Sequence, residues 1–451
     1  MDLNNFFNAK SIAMVGVSKD PKKLGHVIFR NFVDTNYLGK LFLVNPNEDY
    51  ILNRKCYESV LGIEEEVDLA ILTIPADIIP KVAEQCGKKG ITNLIIISSG
   101  FEEKGNDKLR DDLLKVLDKY KIDVIGPNCL GTYDAYTKFD SLFVPRYKLE
   151  RPLPGGISFV SQSGAVAAAI LDLASKEGYG FNKFVSYGNG INVDETDIIE
   201  YLDKDDKTKV ICLYVEAVKN GEKFLEVCSK LSKPLIVVKG GVTPEGSEAT
   251  MSHTGSMAGE EKVYKGVFKQ CGIIEAENLE EMFNFAKILE KSIGPKGKRV
   301  QIVTNGGGYG ILCTDAVIKN GLEMAQISKD SAKKLQKALG EMVVVKNPMD
   351  LLGDSTTMRY KIALDYCIED NDIDIILVVL LYQMPLITTD IVDIITEAKE
   401  SGSKPIIVVS TGGKFTEVMK QSLEKNGVPC FTFPNNAVRS TAKLVEYYSN
   451  Q

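Results

Sequence analysis

Histidine is nearly absent from this chain of 451 residues, which holds only His26 and His253. No Cys-x-x-Cys pair accompanies them, so a resident metal site has too few soft or imidazole donors. The nine cysteines (Cys56, Cys86, Cys129, Cys212, Cys228, Cys271, Cys313, Cys367 and Cys430) are scattered singly, several within apolar runs. That is the pattern of reduced, buried thiols and not of a disulfide framework. No run approaches the ~18 apolar residues that a membrane span requires. The N-terminus, Met-Asp-Leu-Asn-Asn-Phe-Phe, has neither a basic stretch nor a long apolar one, which argues against a signal peptide. There is no basic run or aromatic–basic alternation, and the net charge is −7, which argues against a nucleic-acid surface. The absences predict a cytoplasmic protein with no metal, nucleic-acid or membrane partner of its own.

What is present is informative through its order. A chain of this length is too long for one core and implies about two to four domains. Apolar runs occur at 11–17, 41–44, 69–74, 94–97 and 124–125, with helical patterns at 26–35, 78–88 and 107–120 between them. Short apolar strands alternating with amphipathic helices predict a doubly wound parallel sheet, and each strand ends in small or polar residues where such sheets bind ligands. After the first strand Gly16 is present, but Ser18 and Lys22 stand where a dinucleotide fingerprint has its later glycines, and Gly25 comes late. A wider turn bearing Lys19 and Lys22 suits a phosphate-rich ligand such as coenzyme A better than NAD. A Rossmann core without a nucleotide is the other reading.

Residues 149–156 read as a linker. A strand at 157–160 then runs into Ser161-Gln162-Ser163-Gly164-Ala165 and a small-residue helix. This is either an anion site at a helix start or a plain N-cap made by Ser161 or Ser163. Strands follow at 183–186, 210–215 (ending in Glu216) and 235–239, closing a second α/β domain near residue 292. Gly294 to Gly297 is a second linker. Beyond it, strands at 300–303, 375–381, 406–409 and 430–433 make a third α/β unit. Its turn Thr304-Asn305-Gly306-Gly307-Gly308 admits either a phosphate or a close-packed neighbour, the second being favoured.

The stretch Gly240 to Gly259 carries His253 among small and polar residues, with no apolar run on either side. It is expected to be a glycine-rich loop beyond a strand end, where α/β proteins keep their chemistry. A structural role, metal ligation and nucleophilic or acid–base work are the options. Metal ligation falls first for want of other ligands. A neutral imidazole held through its second nitrogen by a carboxylate is a good nucleophile toward phosphorus, and Glu216 is the candidate carboxylate. The plainer reading of Glu216 is a partly buried acid paired with a lysine.

The Ser-His-Thr-Gly-Ser core of residues 252–256 resembles the phosphohistidine loop of the NDP-forming acyl-CoA synthetases. Ser-Gln-Ser-Gly at 161–164, Gly-Pro-Asn-Cys-Leu-Gly at 126–131, Tyr-Gly-Asn at 187–189, Thr-Asn-Gly-Gly-Gly at 304–308 and Asn-Pro-Met-Asp-Leu at 347–351 resemble that family's signatures, in family order. The resemblance covers the whole chain and is nearest to the α subunits of ADP-forming acetyl-CoA synthetases. It implies a CoA-binding Rossmann domain (1–148) followed by two flavodoxin-like, succinyl-CoA synthetase-like doubly wound domains, the phosphohistidine domain at 152–293 and a ligase-CoA-like domain at 297–451. By position it implies a coenzyme A site at Gly16, Ser18, Lys19, Lys22, Asn45, Pro46, Ile74, Pro75, Ser98, Ser99, Gly100 and Phe101. Ser161, Gln162, Ser163 and Gly164 would bind phosphate, and Asn128, Gly188 and Asn189 would lie at the thioester. His253 and Glu216 would be catalytic. Nothing in the chain looks like an ATP-grasp nucleotide domain, so the resemblance further implies a separate ATP-grasp β subunit, in an α2β2 assembly, with ADP or ATP and Mg2+ bound there. Substrates would be a small carboxylic acid, CoA or acyl-CoA, and phosphate. Three rival readings are a succinyl-CoA synthetase α subunit, which would lack the third domain, a non-catalytic CoA sensor or scaffold, and an NAD-dependent oxidoreductase.

Overall fold

In the computed structural model of the chain, residues 2–254 and 261–450 are described, with the side chains of 249 and 251–254 outside that description. Two compact units appear, Met1–Glu275 and Ala276–Gln451. The first holds two seven-stranded sheets and the second one sheet of six strands.

The first sheet follows from runs that are apolar on both faces. Ser11–Val15, Leu69–Leu72 and Asn93–Ile96 are buried at every residue, as strands covered by helices on both sides must be. They pair in parallel with Lys40–Val44 and Asp123–Ile125. A short antiparallel pair, Tyr50–Ile51 with Arg54–Tyr57, finishes one edge. Helix Leu24–Asp34 begins two residues earlier than its pattern suggests, and the reason is local. Gly25 stacks so closely on the Gly16 turn that a Cβ there would lie 2.5 Å from the Gly16 carbonyl oxygen. Gly25 thus supplies the close helix–strand approach that the late spacing seemed to deny.

The second sheet is built on Pro154–Ser161, flanked in parallel by Phe181–Ser186 and Val210–Val215, then Leu235–Lys239 and Ile274–Glu275. Two differences from the sequence reading stand out. Pro154 already pairs with Phe181, so the last part of the expected linker is strand. Segments Gly131–Asp134 and Phe139–Asp140, expected with the first sheet, add antiparallel to the edge of the second. Their polar, glycine-led sequence hides them, because the buried hydroxyls are satisfied internally: Thr132 donates to the Phe6 carbonyl at 2.8 Å and Ser141 donates to the Thr132 carbonyl at 3.0 Å. One continuous apolar cluster, including Phe7, Phe32, Phe139, Val160 and Leu213, runs beneath both sheets of this unit.

The third sheet has Arg299–Thr304 at its centre, paired with Glu323–Met324, Met349–Asp350 and Ile375–Val379, and continues through Ile406–Val409 to Cys430–Phe431. Helix Leu279–Lys291 falls in the second compact unit and packs on Pro434–Ser449. A buried Glu424 is shared by Lys287 and Lys291 from that helix, which ties it to the third core. No helix among the described residues is long and apolar enough to cross a membrane.

Candidate active site

The carboxyl ends of the first two sheets open onto one cavity of about 720 Å3. Pro75, Ser98 and Ser99 line it from the first sheet; Gln162, Ser163 and Gly164 line it from the second. Asn128, Gly188 and Asn189 complete the polar part. Nine of the residues singled out in the sequence therefore share one space.

The Ser161–Gly164 turn is built by its own hydrogen bonds. Ser161 is fully buried and donates to the Ser163 carbonyl at 2.8 Å. Ser163 caps the helix Gly164–Glu177, its hydroxyl accepting from the Val166 N–H at 3.3 Å. The first N–H groups of a helix have no intrahelical acceptor, and here they belong to Gly164 and Ala165 on the cavity wall. That is favourable ground for an anion. Gln162, on the cavity wall, also has a positioning task. It is 8 % exposed and accepts the Glu216 and Ala217 N–H groups at 2.7 and 3.1 Å, so its amide positions the Glu216 segment.

Glu216 ends the strand Val210–Val215 and is 7 % exposed. Tyr214 donates to its carboxylate at 3.4 Å, and Lys239 donates to its backbone carbonyl at 2.7 Å. Burial, and then the Glu216 charge, push the Tyr214 phenol up to about 12. Burial pushes the Lys239 ammonium below its ordinary value against the pull of Glu216, and the ammonium lies 4.8 Å from the centre of the Tyr264 ring. Lysine does meet Glu216, but at the carbonyl.

The His253 backbone does not lie in a loop; it lies in the helix Pro244–Thr254. Pro244 opens that helix, Thr243 accepts the Gly246 N–H at 3.0 Å as its cap, and Glu245 suits the positive end of the dipole. Glycines at 240, 241 and 246 masked these start signals in the sequence. The helix runs beside the short turn Glu102–Lys104, whose Glu102 lines the cavity. The His253 side chain is outside the described residues.

The remaining rim residues spread along the first sheet's carboxyl edge. Asn45 donates to the Val17 carbonyl at 2.7 Å, and Lys19 pairs with Glu48 at 2.5 Å at the surface. Ser18 accepts the Asp20 N–H on its hydroxyl at 3.1 Å, Lys22 and Pro46 are exposed, and Ile74 receives the Ser98 hydroxyl on its carbonyl at 2.5 Å. Phe101 buries its ring completely in the core, leaving only its backbone for the rim. The second histidine, His26, bonds through Nδ1 to the Ser18 carbonyl at 2.8 Å and so shapes the first turn.

Glu103 escaped the sequence reading. It accepts the Gly100 N–H at 2.5 Å and the Phe101 N–H at 3.3 Å, and takes a 2.7 Å bond from Asn189. Burial pushes its carboxyl up, but these donors outweigh it and leave it below the usual range. Asn189 in turn accepts from Asn128 at 3.3 Å, and its N–H reaches the Pro127 carbonyl at 3.0 Å. Gly188, at φ +59°, leaves no room for a Cβ, which would meet the Asn128 carbonyl at 2.3 Å. Glu102 is bonded by Lys219 at 3.2 Å. Leu130, from the Gly-Pro-Asn-Cys-Leu-Gly stretch, is joined in an apolar wall by Phe143 and Val144, which no motif announced.

Three family descriptions match the chain in series: a CoA binding domain over residues 10–134, a succinyl-CoA ligase like flavodoxin domain over 154–289 and a Ligase-CoA domain over 300–447. The chain is 36 % identical to subunit alpha of acetate–CoA ligase [ADP-forming] II from Pyrococcus furiosus, over 99 % of this chain and 98 % of that one. It is 38 % identical to the acetate–CoA ligase [ADP-forming] of Methanocaldococcus jannaschii over 97 % of its own length, but spans only 62 % of that longer protein. Its fold matches a dinucleotide forming acetyl-coenzyme A synthetase 1 of Ca. Korarchaeum cryptofilum, solved with phosphate and ADP, at a TM-score of 0.92 and 33 % identity, covering 99 % of this chain and 97 % of the other. By the identity it keeps along almost its whole length with a relative of the same extent, the chain belongs to the family of ADP-forming acetate–CoA ligase α subunits.

Proposed function

We propose that the chain is the α subunit of an ADP-forming acyl-CoA ligase, interconverting acyl-CoA, ADP and phosphate with a carboxylic acid, CoA and ATP. The observation that carries the reading is the shared cavity, which puts a Rossmann rim, at Pro75, Ser98 and Ser99, opposite the anion-favouring helix start at Ser163 and Gly164. Coenzyme A lies along the rim from Gly16 to Phe101, with its thioester near Asn128, Gly188 and Asn189. A phosphate oxygen attacks the thioester carbonyl, the C–S bond breaks, and CoA leaves as thiolate. The resulting acyl phosphate passes its phosphoryl group to an imidazole nitrogen of His253, the P–O bond to the carboxylate breaking as the P–N bond forms. Helix N–H groups at Gly164 and Ala165 stabilise the charge on the transferring oxygens. Glu216, kept in place by Gln162, holds the other ring nitrogen. The phosphoryl group then goes to ADP, which with Mg2+ is held by a separate ATP-grasp subunit in an α2β2 assembly. The domain roles follow: CoA binding in the first sheet, phosphohistidine chemistry in the second, a ligase-CoA unit in the third.

The test uses an acyl-CoA, Mg2+ and radiolabelled phosphate, with the ATP-grasp subunit bound. Protein-bound label that acid removes and alkali spares is expected in the wild type and lost in His253→Ala. A blank in the wild type with the partner bound would sink the catalytic reading and favour a CoA-binding scaffold.

A further inference from the structure

We propose that Phe143 and Val144, with Leu130, form the wall that selects the acyl group, and that Asn31 and Arg151 set where that wall stands. The inference rests on the ligase reading above.

The cavity is lined by two chemically different sets of side chains. Ser98, Asn128, Ser163 and Asn189 present polar groups suited to a thioester carbonyl and a phosphate. Leu130, Phe143, Val144 and Ala168 present only hydrocarbon. A phosphate or a carbonyl oxygen gains nothing there, whereas an alkyl or aryl group leaves water for it at a gain proportional to its area.

The backbone behind the wall is held more firmly than a surface connection requires. Asn31, itself 2 % exposed, donates from one amide nitrogen to the Leu142 carbonyl at 2.7 Å and the Val144 carbonyl at 3.2 Å. Arg151 donates to the same Val144 carbonyl at 2.8 Å and to the Leu149 carbonyl at 2.6 Å. Its guanidinium is locked on Asp140 by bonds of 3.0 and 3.2 Å, and Arg146 adds a third at 2.9 Å. The Asp140 and Arg151 side chains are 0 % and 1 % exposed. A buried ion pair carries a desolvation cost that apolar packing avoids, so its presence calls for a positional role. Here the position it fixes is the path from 140 to 151, and with it Phe143 and Val144. A rigid wall is what selection by size demands.

The test measures kcat/KM for acetate, butyrate, hexanoate and phenylacetate with the chain reconstituted with its ATP-grasp subunit. Phe143→Ala is expected to raise the hexanoate-to-acetate ratio by about 10-fold or more, and Val144→Phe to lower it by a similar factor. Phe143→Leu serves in place of Phe143→Ala if that variant fails to fold. Asn31→Ala is expected to flatten the acid profile, moving KM more than kcat. A merely structural role would lower its Tm and leave the profile where it was. An unmoved profile in both Phe143→Ala and Val144→Phe, with the wild type active, overturns the wall and leaves the ligase standing. A wild type that activates none of the acids overturns the ligase reading and the wall together.

Discussion

Two turns in this molecule are nearly the same device put to opposite uses. In the second sheet, strand Pro154–Ser161 passes through Ser163 into a helix, and Ser161 bonds the carbonyl two residues on at 2.8 Å. In the third sheet, strand Arg299–Thr304 passes through Gly306 into a helix, and Thr304 bonds the carbonyl two residues on at 3.1 Å. The turn of the second sheet, the second turn, faces a cavity: a Cβ added at Gly164 would meet nothing closer than 3.8 Å. The turn of the third sheet, the third turn, is filled by its own chain. A Cβ at Gly306 would lie 2.4 Å from Leu381, and one at Gly307 would lie 2.8 Å from the Asp350 carboxylate. Asn305 closes it further, accepting the Leu381 N–H at 2.9 Å and donating to the Leu381 carbonyl at 3.2 Å. A carboxylate of the protein already stands at that helix start. Glycine in the third turn therefore serves packing, and a strand–hydroxyl–helix motif becomes an anion site only where the chain leaves it open.

What lies beside each turn differs as well, and this yields the largest predicted effect on stability. Near the second turn, Tyr187 follows its strand and donates its N–H to the Ser161 carbonyl at 3.1 Å. Its buried hydroxyl faces the Glu195 carboxylate, and neither that hydroxyl nor one Glu195 oxygen has a partner within hydrogen-bond geometry. The corresponding orphan by the third turn is a neutral phenol, Tyr382. Burial, reinforced by Asp194 and opposed by Lys219, pushes the Glu195 carboxyl from 4.5 up to about 7. Tyr264 and Cys228 also face it from neighbouring helices. Because the folded state holds this proton more tightly, its contribution is present in full below pH 4.5 and is lost as pH rises through 7. The loss amounts to about 3 kcal/mol at 1.36 kcal/mol per unit. Glu195→Gln, which stays neutral, is expected to raise Tm at pH 8 and change it little at pH 5. Equal shifts at both values would remove ionisation from the difference between the two turns.

Asn305→Ala comes next. It removes both partners of the part-buried N–H and carbonyl of Leu381 and is expected to cost about 2 kcal/mol, read as a lower denaturation midpoint of the second unit. Label transfer to His253 per folded molecule should persist. Its disappearance in a folded variant would return the third turn to the list of ligand sites.

Legibility from sequence followed the same physics. Strands such as Ser11–Val15 and Leu235–Lys239 were readable because they are buried on both faces and so apolar throughout. The turns at 161–164 and 187–189 were readable because turns need small and hydroxylated residues at set places. Gly131–Asp134 was not, since its buried Thr132 and Asp134 look like surface residues until their partners are known. Glu103 was not, since one acid after a strand carries no signal that it will fold back onto Gly100 and reach Asn189. The apolar wall at Phe143 and Val144 was invisible because its place depends on Asn31 and Arg151, more than a hundred residues apart in sequence.

The smallest effect separates a cap from an anion site. Ser163→Ala removes the hydroxyl that accepts the Val166 N–H and is expected to cost about 1 kcal/mol of stability, whichever role the turn has. Ser163→Asp keeps a capping oxygen and adds favourable charge at the helix start, so stability should return to the wild-type level or exceed it. That same charge occupies the place where the phosphoryl oxygens belong, as Asp350 does in the third turn. Phosphohistidine labelling should then fall further in Ser163→Asp than in Ser163→Ala, although Ser163→Asp is the more stable protein. Labelling that instead follows stability across the pair would make Ser163 a cap alone and leave the second turn differing from the third only in having empty space before it.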